Sequence, residues 1–201
     1  MFTLLDWLKK TYENKQILLA AALALTAISV QADCLTDTRI TELVANISVR
    51  TPAATPQGLS EADGVCSREK LHLLLEKSYG RVIGYKANLT NPAVQKRFNY
   101  NQSAWGKLCQ GMVLLDGAIV EAGFGARPLF EADMLVRVRS DAINQAKTQM
   151  DVFLAVDQII SFIELPDLVV QARRQLSGPA VSAINLGARA LQHVFYLKYL
   201  P

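Results

Sequence analysis

Apolar and polar positions recur with two periods along this chain, and the period changes where turn residues cluster. Over residues 38–49, Ile40, Leu43, Val44 and Ile47 fall at the spacing of one helix face. Residues 51–64 collect proline, glycine and small polar residues and read as a loop. Ser67 is a candidate N-cap for a helix through Ser78, with Leu71, Leu74 and Leu75 inward and Gly80 at the stop. The run from Gly80 to Ala87 is rich in β-branched and aromatic residues and predicts a strand with Lys86 near its end. Asn91-Pro92 opens a turn or short helix reaching Phe98. Residues 111–122 predict a hairpin, because the apolar runs Met112–Leu115 and Ala118–Val120 flank Asp116-Gly117, a favoured two-residue turn.

The segment Phe130–Val138 alternates with strand period. Ala132, Met134, Val136 and Val138 share one face; Glu131, Asp133, Leu135 and Arg137 share the other. Thr148 followed by Asp151 forms a capping box for a helix over 149–158 that would bury Val152 and Val156. Ile159–Leu165 then reads as a buried strand ended by Pro166, with Glu164 inside its apolar run.

This pattern brings carboxylates together. Two acidic residues two apart on a strand have Cβ atoms roughly 6–7 Å apart. They repel unless a cation lies between them or one is protonated. Oxygen donors of this kind suit Mg²⁺ or Mn²⁺. Glu164 is costly in an apolar strand unless paired or metal-bound, which makes it a natural third ligand beside Glu131 and Asp133. Spacing alone leaves a second reading open, a solvated strand face. His72, on the helix after Ser67, reads as a surface or half-buried histidine, since no second histidine is near it.

Composition narrows the class. With 51% hydrophobic and 19% charged residues the chain is globular, long enough at 201 residues for one sizeable core. The net charge of +3 is small and its lysines and arginines are scattered, which argues against a nucleic-acid partner. Residues 1–32 differ. Lys9, Lys10 and Lys15 precede an apolar run from Ile17 to Val30, and Val30-Gln31-Ala32 has the small-x-small form of a signal-peptidase site. A cleaved signal over 1–32 and a periplasmic or secreted protein is the expectation. An uncleaved anchor, the only membrane contact then expected, and a buried helix are the alternatives. Export brings in Cys34, Cys66 and Cys109: Cys66 with Cys109 forms a disulfide, or the thiols are unpaired.

Read together, the segments resemble a known family. Gly84-Tyr85-Lys86-Ala87-Asn88-Leu89-Thr90-Asn91-Pro92-Ala93-Val94-Gln95 is similar to the signature of the 2-keto-4-pentenoate hydratases, in the fumarylacetoacetate hydrolase superfamily. Glu131-Ala132-Asp133 falls where the family has its metal pair and Glu164 at its third carboxylate. The resemblance covers about residues 67–189 and implies an α+β fold, a mixed β-roll with flanking helices like the fumarylacetoacetase C-terminal domain. It implies a metal-dependent hydratase, a carbon–oxygen lyase acting on a 2-hydroxy-2,4-dienoate or related 2-oxo acid. Glu131, Asp133 and Glu164 would hold one Mg²⁺ or Mn²⁺, and Lys86 and Thr90 would meet the substrate, with Lys86 also assisting proton transfer. Asn88 and Asn91 stand where the family more usually has glycine and serine. Neither His72 nor His193 is placed as the base of the hydrolase branch, which disfavours carbon–carbon hydrolysis. The similarity stops at Arg189, and 190–201 reads as a hydrophobic tail, so the expected organisation is a signal over 1–32, a helix and loop over 33–66, and a truncated hydratase-like domain over 67–201. A complete fold would form a homo-oligomer. The alternatives to an enzyme are an inactive remnant and an exported oxo-acid binding protein.

Overall fold

A computed structural model describes residues 33–193 of the chain. The expected signal over 1–32 and the tail from 194 onward lie outside the described residues. No described helix is long and apolar enough to cross a membrane.

Two helices lead the described chain. Helix α1 (Asp37–Val49) is capped by Thr36 and buries Ile40 and Leu43, as the periodicity requires. Helix α2 (Glu61–Tyr79) is capped seven residues before the expected cap at Ser67. Ser60 is the true cap: its hydroxyl accepts from Asp63 N at 3.2 Å, and its N–H donates to the Asp63 carboxylate at 2.7 Å. Ser67 has a different task, accepting the Leu35 N–H at 2.9 Å. The Asp33 N–H also donates to Asp63, and a disulfide joins Cys34 to Cys66. Segment 33–35 is therefore laced along the first turns of α2. The pairing of Cys66 with Cys109 is thus corrected: Cys109 is a free, buried thiol.

Helix α2 departs from simple amphipathic patterning, which is why the sequence misjudged it. Leu71 and Leu75 are buried as expected, but so are Arg68 and His72. His72 is 2% exposed, not a surface residue. The Arg68 guanidinium lies 3.5 Å over the Trp105 ring and donates to the Trp105 carbonyl at 2.6 Å. Glu69 carries ion pairs to both Arg68 and Lys107. These contacts fasten α2 to the two-stranded antiparallel sheet of β1 (Val82–Asn88) and β2 (Ala104–Cys109). The short helix α3 (Pro92–Arg97) follows β1, with Asn91 as its cap and proline in its first turn.

The second sheet is mixed and has the order β3-β6-β5-β4. Strand β3 (Val113–Leu114) runs parallel to β6 (Ala190–His193). Strands β4 (Glu131–Val138) and β5 (Val156–Leu165) are antiparallel neighbours, and β5 pairs with β6. The hairpin expected over 111–122 does not form. The turn at Asp116-Gly117 is present, but Val113-Leu114 pairs with residues 191–192 rather than with 118–120. Residues 190–193, read as the start of a tail, supply a strand inside this sheet.

Helix α4 (Gln149–Ala155) has its predicted Thr148–Asp151 capping box. Of its apolar residues only Ala155 is buried: Val152 is 44% exposed, and Met150, Phe153 and Leu154 are also on the surface. Strand β5 is likewise half-exposed over most of its length and buried only at Glu164 and Leu165. The core lies elsewhere. Ile40, Leu43, Leu71, Leu75, Met112, Val169, Val181 and Leu186 form one cluster joining α1, α2, the 165–176 segment and helix α5 (Gly178–Ala183).

Candidate active site

Register places the first two carboxylates. In the β4/β5 ladder Glu131 stands directly opposite Glu164, and Asp133 opposite Phe162. Directly opposed residues of an antiparallel pair point to the same face, and so do residues two apart. Glu131, Asp133 and Glu164 therefore share one face at one end of the ladder. The entry to β4 is fixed from behind: the Leu129 N–H donates to Pro166 O at 2.9 Å, and Pro128 bridges Asp167. Asp167, buried, accepts from the N–H groups of Ala126 at 3.0 Å and Arg127 at 2.7 Å. Its own N–H donates to Gly187 O at 2.8 Å. This aspartate holds three loops in one register and was missed in the sequence, where it follows Pro166 as an ordinary loop acid.

Lys86 reaches the same face from β1. It is 7% exposed, forms an ion pair with Glu164, which is 5% exposed, and donates to the Leu186 carbonyl at 3.2 Å. Burial pushes the Glu164 carboxyl above the ordinary glutamate range; the Lys86 charge draws it back, and the charges of Glu131 and Asp133 push it up again.

The Leu186 carbonyl is aimed by unusual backbone. Asn185, Leu186 and Gly187 all have positive φ, and a leucine at φ 54° is a rare conformation. Such a residue costs about 1–3 kcal/mol and persists only where its surroundings over-determine it. Here the Asn185 side chain supplies the constraint, accepting from Lys107 N at 2.8 Å and donating to Lys107 O at 2.9 Å. Gly106 makes room for this approach, since a Cβ there would sit 2.9 Å from Asn185 Oδ1. Leu89, three residues after Lys86, is also at φ 54°; its carbonyl accepts from the Gln95 side chain at 2.7 Å. Asn88 accepts the Leu89 N–H at 2.6 Å, and Asn91 caps α3. The two asparagines thus serve the backbone of this loop.

A cavity of about 410 Å³ lies over these groups, lined by Lys86, Thr90, Glu131, Asp133 and Glu164 among others. All five sequence-predicted residues meet there. Arg97 and Asn88 line it too, and neither was foreseen as a site residue. The donors are hard oxygens, without thiolate or imidazole, so in kind they fit a divalent cation such as Mg²⁺. Among the described residues no three acidic, histidine or cysteine side chains are drawn together into a finished metal shell. The Lys86 ammonium is the cation that Glu164 holds in this arrangement.

No model of a protein family matches the chain. Against curated proteins, it is 32% identical over 87 residues to 2-keto-4-pentenoate hydratase 1 of Dechloromonas aromatica, covering 43% of this chain and 33% of that protein. It is 32% identical over 94 residues to the 2-keto-4-pentenoate hydratase of Burkholderia vietnamiensis, covering 46% and 36%. The chain is a distant homologue of the 2-keto-4-pentenoate hydratases. It spans about a third of the length of these relatives. Among solved structures it resembles 4-oxalocrotonate decarboxylase from Pseudomonas putida G7 complexed with magnesium and adipate, with a TM-score of 0.63 at 17% identity over 78% of this chain and 61% of that one. The same enzyme complexed with calcium and acetate gives 0.61 at 18% identity over 78% and 60%. That likeness establishes a mixed α+β fold shared with the decarboxylase structure, and nothing about chemistry.

Proposed function

We propose that the protein is a metal-dependent lyase of the hydratase type, acting on a 2-hydroxy-2,4-dienoate or a related 2-oxo acid. The observation that carries this reading is the cross-strand register of Glu131 with Glu164, which sets three carboxylates on one face beside a buried lysine. Glu131, Asp133 and Glu164 would hold Mg²⁺ or Mn²⁺, which when bound supplies a Lewis acid for the substrate's carboxylate and 2-oxygen and stabilises enolate charge. Lys86, pinned by Glu164 and the Leu186 carbonyl, keeps a proton-bearing Nζ at the cavity wall. From there it would bind the substrate carboxylate or hand a proton to the diene carbon. Thr90, at the exposed end of the same loop, would complete the substrate contact. The fold reading that accompanies this function is the superfamily's β-roll.

The test is consumption of 2-hydroxypenta-2,4-dienoate, followed by loss of its ultraviolet absorbance with Mg²⁺ or Mn²⁺ present. Turnover should vanish in Glu131→Ala. Full turnover in excess chelator refutes the reading. A second reading, binding of a 2-oxo acid without conversion, is favoured by the hold of Lys86 on Glu164. Tight Mg²⁺-dependent binding with the ligand recovered unchanged would select it.

The Cys34–Cys66 disulfide supports placing the protein in an oxidising compartment, consistent with the leader pattern of residues 1–32. Association into a homo-oligomer is supported by the exposed apolar residues Met134, Val136 and Val138 on β4. Light scattering on the purified protein tests it.

A further inference from the structure

Among the described residues strand β4 has a neighbour on one side only. A free edge carries a row of unpaired N–H and C=O groups, and folded proteins usually blunt it with proline, lysine or a bulge. Strand β4 has none of these. Its eight residues, Glu131–Val138, include no proline, glycine or lysine. The irregularity in the β4/β5 ladder lies on the inner strand: Arg137 pairs with Gln158 and Val138 with Val156, so Asp157 is the extra residue. The outer edge of β4 is regular.

The charges along this edge are ordered. Glu131 and Asp133 stand at its start and Arg137 near its end. Arg139 follows one residue beyond, with its N–H still bonded to Ala155 O at 2.9 Å. All four are exposed and alternate onto the face that Leu135 shares. A parallel copy of the strand laid in register would set acid beside acid, which is unfavourable. An antiparallel copy centred on Leu135 reverses this. Glu131 then meets the partner's Arg139, Asp133 the partner's Arg137, and Leu135 the partner's Leu135. On the other face Met134 meets the partner's Val136 and Ala132 the partner's Val138. Sliding the copy by two residues in either direction leaves one acid without its arginine. Arg137 gives Nε and Nη2 to Asp157 at 2.8 and 2.9 Å, which leaves Nη1 for the partner's Asp133. A carboxylate has two oxygens, so Glu131 and Asp133 can each accept a guanidinium across the edge and still present an oxygen to the cavity.

We propose that two copies of this chain pair edge to edge along β4, antiparallel and two-fold symmetric about Leu135, and merge their sheets into one. This interface rests on the proposed association into a homo-oligomer and says which surface carries it. The exposed side chains of Met134, Val136 and Val138 then shield one another's flanks from water across the join.

The experiment is analytical ultracentrifugation, without divalent ions, of the full chain and of two single variants, Arg139→Glu and Glu131→Arg. Each variant sets like charges opposite one another twice per dimer, and its dimer dissociation constant should rise about tenfold or more. Mixed in equal amounts, the two variants match every pair again and should form a heterodimer near the parent's affinity. Leu135→Cys leaves the charges alone and should cross-link to its own copy under mild oxidation faster than Met134→Cys or Val136→Cys, neither of which faces itself. A dimer that ignores both charge variants and cross-links no better at 135 than at 134 or 136 overturns this interface and leaves the homo-oligomer reading standing. A chain that stays monomeric at every concentration reached overturns both. The lyase reading is decided separately, by turnover.

Discussion

Removing the Cys34–Cys66 bond should destabilise the domain by a measurable and bounded amount. The cysteines are 32 residues apart in sequence, with Cα atoms 5.5 Å apart. In the chain-entropy account, releasing a loop of that length from the unfolded ensemble costs about 3.7 kcal/mol at room temperature. The non-covalent ties of the same segment, Asp33 to Asp63 and Leu35 to Ser67, remain and limit secondary losses. For a domain of this size each kcal/mol moves the melting temperature by about 2–4 °C, so the full effect is a drop of roughly 7–15 °C. The assay is thermal unfolding by circular dichroism of the parent and of the Cys34→Ser/Cys66→Ser double variant, each with and without reductant. Cys109→Ser is the control: its thiol is buried, burial pushes its pKa up, and its oxidised-minus-reduced difference should match the parent's. Thiol titration of the unfolded protein should find one of the three cysteines free without reductant and all three with it. A double variant that melts with the parent, or loss of the redox effect in Cys109→Ser, refutes the reasoning.

Three further outcomes are expected. Lys86→Met leaves a buried carboxylate unpaired and should cost about 3–5 kcal/mol in urea unfolding, most of it recovered in Lys86→Met/Glu164→Gln; an unchanged midpoint for the single variant would show that the ion pair is not buried as described. Burial, and next the charge of Lys107, hold the His72 pKa below its ordinary 6.5, against a partial pull upward from Glu76. The unfolded chain then takes up this proton first, so stability is complete above pH 6.5 and declines as pH falls below it. Subtracting the pH profile of His72→Leu from that of the parent isolates this loss from the carboxylates, including Glu164, whose raised pKa acts with the opposite sign; a flat difference between pH 7.5 and 5.5 would be decisive against it. Asn185→Ala removes both hydrogen bonds to the Lys107 backbone and should cost about 2–3 kcal/mol, with weaker Mg²⁺-dependent pyruvate binding as the Leu186 carbonyl drifts from Lys86.

What was legible in the sequence was whatever depended on neighbours within a strand or turn. The strand from Glu131 follows from alternation alone, and Glu164 stood out because a carboxylate in an apolar run needs a partner. Lys86, Thr90 and the carboxylates were brought to one place by a resemblance between segments, which encodes a fold that periodicity does not. The failures are of another kind. Val113-Leu114 pairs with a strand more than seventy residues away, and no local turn signal competes with that. Arg68 and His72 are both buried on α2, where the Arg68 guanidinium lies over the Trp105 ring; a polar side chain buried on a helix gives no hydropathy signal, so His72 read as a surface or half-buried residue. Helix α4 shows the converse, large apolar residues at good spacing that stay on the surface. Cys34 had no partner in the sequence reading, and only the fold of segment 33–35 along α2 brings its sulfur to Cys66.

Strand β4 is the margin of its sheet, and two of the three proposed ligands stand on it while the third stands on its inner neighbour. An ion gripped by all three would act as a rivet through the outermost ladder. Peeling of β4 and departure of the ion then become a single equilibrium, read from either end. Slower amide hydrogen exchange along 131–138 on adding Mg²⁺ would measure the ion's affinity as directly as a titration, and a substitution that loosens this rim, even at Val138 seven residues from Glu131, would weaken cation binding without touching a ligand.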